Sequence, residues 1–116
     1  MRLLLLESEP SMPAFIKHVL SDIDLEYTSD LMEALRWYNE RAPYDIVLAG
    51  LSSANGISLA MHIRRINPTQ IVGLMTGLPV EEISKVHDLK IPVLYKPFSG
   101  HDLIAFVNRL RKTKDS

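Results

Sequence analysis

Five short apolar runs recur along this chain, separated by segments whose apolar residues fall at helical spacing. That alternation constrains the fold more than any other feature. The runs are Arg2 to Leu6, the neighbourhood of Leu25 and Tyr27, Tyr44 to Gly50, Gln70 to Met75, and Ile91 to Tyr95. Polar residues, Gly or Pro close them, the pattern expected of strands, and the continuously apolar ones suggest burial on both faces. The run Tyr44-Asp45-Ile46-Val47-Leu48-Ala49-Gly50 is the organising one: Ile46, Val47 and Leu48 are its apolar centre, and it delivers Gly50 to its carboxyl end. Pro92 lacks a ladder donor, so the fifth strand is expected at an edge.

The intervening segments predict five helices. Met12, Ile16, Val19 and Ile23, widened by Phe15 and Leu20, mark the first, with Ser11 as N-cap, Pro13 in the first turn and an end near Ser21 or Asp22. Asp30 and Glu33 match a capping box ahead of Leu31, Ala34, Leu35 and Tyr38, and Pro43 stops that second helix. Asn55-Gly56 reads as a turn before a third helix with Leu59, Ile63 and Ile66 inward and Arg64 and Arg65 outward, ended by Asn67-Pro68. A short fourth helix is expected from Pro79 through Val80, Ile83 and Val86. Ser99 caps a last helix with Leu103, Ile104, Val107 and Leu110 inward and a basic end.

Strands alternating with helices through short connections require right-handed crossovers. The result is an α/β fold: a doubly wound, mostly parallel five-stranded sheet in an α/β/α sandwich. The functional crevice of such a sheet lies at the carboxyl ends of its strands. Glu7 and Ser8 stand there after the first strand, Gly50 after the third, Thr76 after the fourth and Lys96 after the fifth. Residues 1–112 are expected to form one domain, with 113–116 a disordered tail or the start of a linker.

Composition excludes several functions. Thirteen basic and 14 acidic residues give a net charge of −1, which offers no long-range attraction to nucleic acid or an anionic membrane. There is no cysteine, so disulfides, thiolate zinc sites and thiol catalysis are ruled out. The opening apolar run ends at Glu7, too short for a signal-peptide core, and no run approaches the roughly 20 residues of a membrane span. A cytoplasmic location is the expectation.

The strand ends carry a resemblance. Leu3-Leu4-Leu5-Leu6-Glu7-Ser8-Glu9-Pro10, Asp45-Ile46-Val47-Leu48, Thr76-Gly77 and Lys96-Pro97-Phe98, in that order and each at a strand end, resemble a response-regulator receiver domain over essentially the whole chain. The resemblance implies a flavodoxin-like sheet of strand order 2-1-3-4-5. In that family two adjacent acids and an aspartate hold magnesium. The aspartate takes a phosphoryl group from a histidine kinase, and a Thr or Ser and a Lys bind that group. Carried over, Glu7 keeps the first acid, Ser8 loses the second, Gly50 stands where the nucleophile would be, and Thr76 and Lys96 are retained. Ala54 stands where the family usually has proline. The resemblance therefore implies a degenerate, non-catalytic pseudo-receiver with no cofactor or metal, acting on a protein partner. Its homodimer or output surface would involve the fourth helix, fifth strand and fifth helix, where His87, Lys90, Tyr95 and His101 would lie.

Alternatives stand beside these readings. Glu7 is either a solvated loop acid or the partner of Lys96 across Gly50. Thr76 is either a site hydroxyl or a local backbone partner, and Lys96-Pro97 is kept either for charge or for a cis bond. Ser52 and Ser53 offer hydroxyls for an atypical phosphoacceptor, and the crevice offers a small-ligand site. Asp45 lies at the wrong end of its strand to replace a nucleophile. His18, His62, His87 and His101 fall on four different expected helices, which argues against a metal site. Trp37 reads as helix packing, and Arg109, Arg111, Lys112 and Lys114 as a solvated helix end.

Overall fold

The computed structural model describes residues 1–51, 55–77 and 90–115, the last three as backbone only. Its elements are β1 (Arg2–Leu6), α1 (Ser11–Val19), β2 (Asp24–Thr28), α2 (Leu31–Arg41), β3 (Ile46–Gly50), α3 (Asn55–Ile66), β4 (Val72–Thr76), β5 (Val93–Tyr95) and α4 (Gly100–Asp115). The five strands form one parallel sheet in the order β2-β1-β3-β4-β5, with β5 at an edge as Pro92 predicts. The described residues contain four helices where five are expected; the helix predicted from Pro79 to Val86 lies outside them.

The apolar run of β1 divides by alternation between two cores. Leu4 and Leu6 join Ala34, Tyr38, Val47, Ala49, Leu59, Ala60 and Ile63 under α2 and α3. Leu3 and Leu5 join Met12, Ile16, Ile46, Leu48, Leu103, Phe106, Val107 and Leu110 under α1 and α4. Both faces of β1 and β3 are therefore covered, which is why these strands read as continuous rather than alternating.

Several local expectations are corrected. Pro10, not Ser11, is the N-cap residue of α1, with no side-chain cap; Ser11 is already helical. That helix ends at Val19, where Leu20 N donates to Ile16 O, short of Ser21. Asp30 caps α2 by accepting from Met32 N at 2.9 Å, but Glu33 does not complete the box. The Asp30 N–H donates instead to Thr28 Oγ1, and Glu33 faces Arg36. The reciprocal arrangement occurs at α4, where Asp102 N donates to Ser99 Oγ and Ser99 N to Asp102 Oδ2. Asn55-Gly56 is not a turn but the first turn of α3.

On α4 the buried stripe is Leu103, Phe106, Val107 and Leu110, while Ile104 is 39% exposed, on the flank toward α1. Phe106, burial of which contributes about 1.5–3 kcal/mol, packs over Gly73; a Cβ there would come 2.8 Å from its ring. Ile66, expected inward, is exposed at the last residue of α3. Helical backbone continues through Thr113–Asp115, beyond the Lys112 boundary.

At the amino-terminal end of the sheet, Glu26 binds Arg2 and Arg41 at 2.6 and 2.8 Å. Arg2 also donates to the carbonyls of Arg41 and Pro43, and its guanidinium lies over the Tyr44 ring. This cluster ties β1 to β2 across 24 residues of sequence, and to the end of α2 and the residues after it across 39 and 41. Trp37 packs on the α2 side of the core beneath Arg41.

Candidate functional site

Parallel register builds the site. Leu6 pairs with Ala49, so one further step along the ladder sets Glu7 beside Gly50. Glu7 N donates to Thr28 O, which keeps the backbone in line past the formal end of β1. On the other side Thr76 pairs with Tyr95, and Lys96 N donates to Thr76 O at 2.7 Å, which fixes the root of the lysine. Alternation then sends Lys96 toward the crevice and Tyr95 away from it.

The Glu7 carboxylate is buried, with 2% of the residue exposed. Its Oε1 accepts the N–H groups of Ser8 and Glu9, each at 3.1 Å. Lys96 Nζ reaches Oε1 at 3.4 Å and Oε2 at 3.3 Å. A buried carboxylate is costly unless hydrogen-bonded and paired, and here it is both. The solvated-acid alternative is thereby excluded, and the pairing of Glu7 with Lys96 beside Gly50 is observed.

The carboxylate also lies over Gly50 itself. A Cβ built on Gly50 collides with Glu7 Oε2 and stands 3.0 Å from its Cδ. A Cβ on Gly56 collides with the carbonyl oxygen of Gly50 and stands 2.8 Å from its carbon. The start of α3 thus rests directly on the end of β3, and Gly56 is a close-approach glycine rather than a turn residue.

Glu9 is a site residue that sequence reasoning missed as such. Its Oε2 lies 3.3 Å from Lys96 Nζ, so the acids meeting the lysine are Glu7 and Glu9 rather than neighbours in sequence. The signal was present in Glu7-Ser8-Glu9, where residues two apart share a side. Ser8 is exposed, and Thr76 is buried at 3% with its carbonyl on Lys96 N. Lys96-Pro97 is cis. Beyond the lysine an open cleft of about 480 Å³ is lined by Glu9, Ser11, Met12, Phe15, Pro97 and Phe98.

The described candidate partner residues, Tyr95, Lys90 and His101, stand at different places on the domain. Tyr95, 38% exposed, lines a groove between β5 and α4 with Val93, Asp102 and Arg109. Lys90 lies at the amino-terminal end of the sheet, its carbonyl accepting from Arg64. His101 shares a cleft with His18 and Phe15 between α1 and α4. His87, Ser52, Ser53 and Ala54 lie outside the described residues. Asp45 is at the amino-terminal end of β3, accepting from Arg2 N at 2.7 Å.

No protein-family model and no curated protein matches the sequence. Solved structures do. The chain is 30% identical to the receiver domain of a Francisella response regulator, over 97% of each chain with a TM-score of 0.78. A response regulator receiver domain protein from Clostridium thermocellum is 21% identical over 98% of this chain and 96% of that one, with a TM-score of 0.83. NtrX from Brucella abortus is 23% identical with a TM-score of 0.86; the match covers 98% of this chain and 26% of that protein. The chain thus spans about a quarter of NtrX and nearly the whole of the other two. No helix among the described residues is long and apolar enough to cross a membrane.

Proposed function

Because the chain belongs to the response-regulator receiver domains of two-component signalling, we propose that it is a receiver that signals by protein contact and does not accept a phosphoryl group. The observation that carries this reading is the end of β3. Gly50 offers no nucleophile there, and the carboxylate that lies against it, Glu7, is engaged by Lys96 and two backbone N–H groups. Phosphoryl transfer to a receiver needs a carboxylate nucleophile and a cation held by hard oxygen ligands.

The residues do not fit the magnesium ion that the family uses. Gly50 and Ser8 supply no carboxylate, and a divalent cation at Glu7 would sit against the Lys96 ammonium.

The partner is a protein, and the groove that Tyr95 lines along the edge strand is a surface for it. An exposed aromatic beside apolar Val93 and Leu94 suits such a contact. Incubation with a small phosphodonor and magnesium, followed by intact mass measurement, tests the reading. An unchanged mass is expected. An added phosphoryl mass would overturn it and direct attention to Ser52 and Ser53.

A further inference from the structure

We propose that the Glu7 carboxylate is an internal ligand of the strand-end cleft: it occupies the anion position beside Lys96 and, while it sits there, favours glycine at position 50. The inference rests on the reading of this crevice as a receiver site without its aspartate, and it adds a regulatory device to it. The cleft holds a carboxylate of its own chain, so Lys96 has an anionic partner with no external anion present.

Three observations converge on this. Glu7 is almost wholly buried although it follows a strand, and its backbone is pinned to Thr28 O, so its depth is set by the ladder. Its carboxylate is held from two directions, by N–H groups of its own loop and by an ammonium from a strand two places away in the sheet beyond β3. And the atom that a Gly50 side chain would meet first is Glu7 Oε2, the far end of that side chain rather than any backbone. Gly50 does not have a positive φ, so its backbone does not demand glycine. What a side chain at 50 has to displace is the carboxylate.

The consequence is a sign reversal. Gly50→Ala in the wild-type background must push the carboxylate off its three partners. In a Glu7→Ala background the same substitution meets no carboxylate and only stiffens a strand, which favours the folded chain. Melting of the wild type, Gly50→Ala, Glu7→Ala and the double variant gives the test. Gly50→Ala is expected to lower Tm by on the order of 5 °C in the wild type and to leave it unchanged or raised in Glu7→Ala. Sodium formate, a carboxylate of the right size, is expected to raise the Tm of Glu7→Ala beyond what equal sodium chloride does, and to act on the wild type no more than the chloride. Equal shifts for Gly50→Ala in both backgrounds, or no formate-specific effect on Glu7→Ala, would overturn the proposal.

A second measurement does not depend on Glu7→Ala folding. Expulsion of the carboxylate leaves Lys96 with only the exposed Glu9 as its acidic partner, so Gly50→Ala should increase acetylation of Lys96 by acetic anhydride several-fold over the wild type, read by peptide mass. Unchanged labelling in a folded Gly50→Ala protein would equally overturn it. These outcomes concern only what fills the cleft; whether the domain takes a phosphoryl group is decided separately by the intact-mass measurement.

Discussion

Lys96 Nζ lies 3.3 Å from Glu7 Oε2, and the two side chains are 25% and 2% exposed. The buried member of this pair therefore depends on the more exposed one. Removing one partner of a fully buried pair costs roughly 3–5 kcal/mol. The partial exposure of Lys96 and the two N–H groups on Glu7 reduce that, so Lys96→Met should cost about 2 kcal/mol. Adding Glu7→Gln to Lys96→Met should recover part of the loss. Urea unfolding of the two variants measures both. The Lys96–Glu9 contact involves a side chain 51% exposed, and Glu9→Gln should change stability by less than about 1 kcal/mol.

Helix caps give a second expectation. Ser99 exchanges two hydrogen bonds with Asp102, and Asp30 makes one to Met32 N. Ser99→Ala and Asp30→Ala should each cost about 1 kcal/mol. Glu33→Ala should have almost no effect, because the Asp30 N–H it would serve belongs to Thr28 Oγ1. Thermal denaturation of the three variants separates a full box from a single cap.

Gly56 lies in the first turn of α3, where alanine would ordinarily be preferred by about 1 kcal/mol. The collision of its Cβ with the Gly50 carbonyl reverses that preference. Backbone cannot swing aside as a carboxylate can. Gly56→Ala should destabilise by about 2 kcal/mol or more, a larger loss than Gly50→Ala, and chemical denaturation of the pair checks the order.

The Glu26 cluster predicts the pH profile. Burial pushes the Glu26 carboxyl up, but hydrogen bonds from Arg41 and Arg2 outweigh it and hold the group below its ordinary 4.5. Such a group stabilises the fold above its unfolded value, and that contribution is lost as pH falls through the lower folded value. Burial, then the charge of Glu26, pushes the Tyr44 phenol from 10.0 up to about 12. Its contribution is complete below pH 10 and disappears as pH rises toward 12. Stability should therefore fall on acidification below 4.5 and again above 10. Glu26→Gln should flatten the acid limb and Tyr44→Phe the alkaline one, as measured by denaturant titration across pH.

The architecture was legible because burial on both faces leaves continuous apolar runs, and Leu3 to Leu6 divide between two cores as such a run must. The Glu7–Lys96 pair was legible because strand ends in a parallel sheet share one edge. Local chemistry was less so. Asp30-Glu33 and Ser99-Asp102 both fit a box pattern, and only the competing hydroxyl of Thr28 distinguishes them. Phe106 rather than Ile104 faces inward because Gly73 leaves room beneath it, a relation between positions far apart in sequence. Asn55-Gly56 has the composition of a turn, but the closeness of the β3 backbone requires the glycine.

The interlock at the end of β3 also bears on any redesign of this site. An aspartate placed at Gly50 alone would enter volume that the Glu7 carboxylate occupies and compete with it for the same ammonium. A side chain at position 50 can be accommodated only together with a move of the Glu7 carboxylate. Engineering a nucleophile into this cleft is therefore a two-residue problem, in which positions 7 and 50 have to be chosen together.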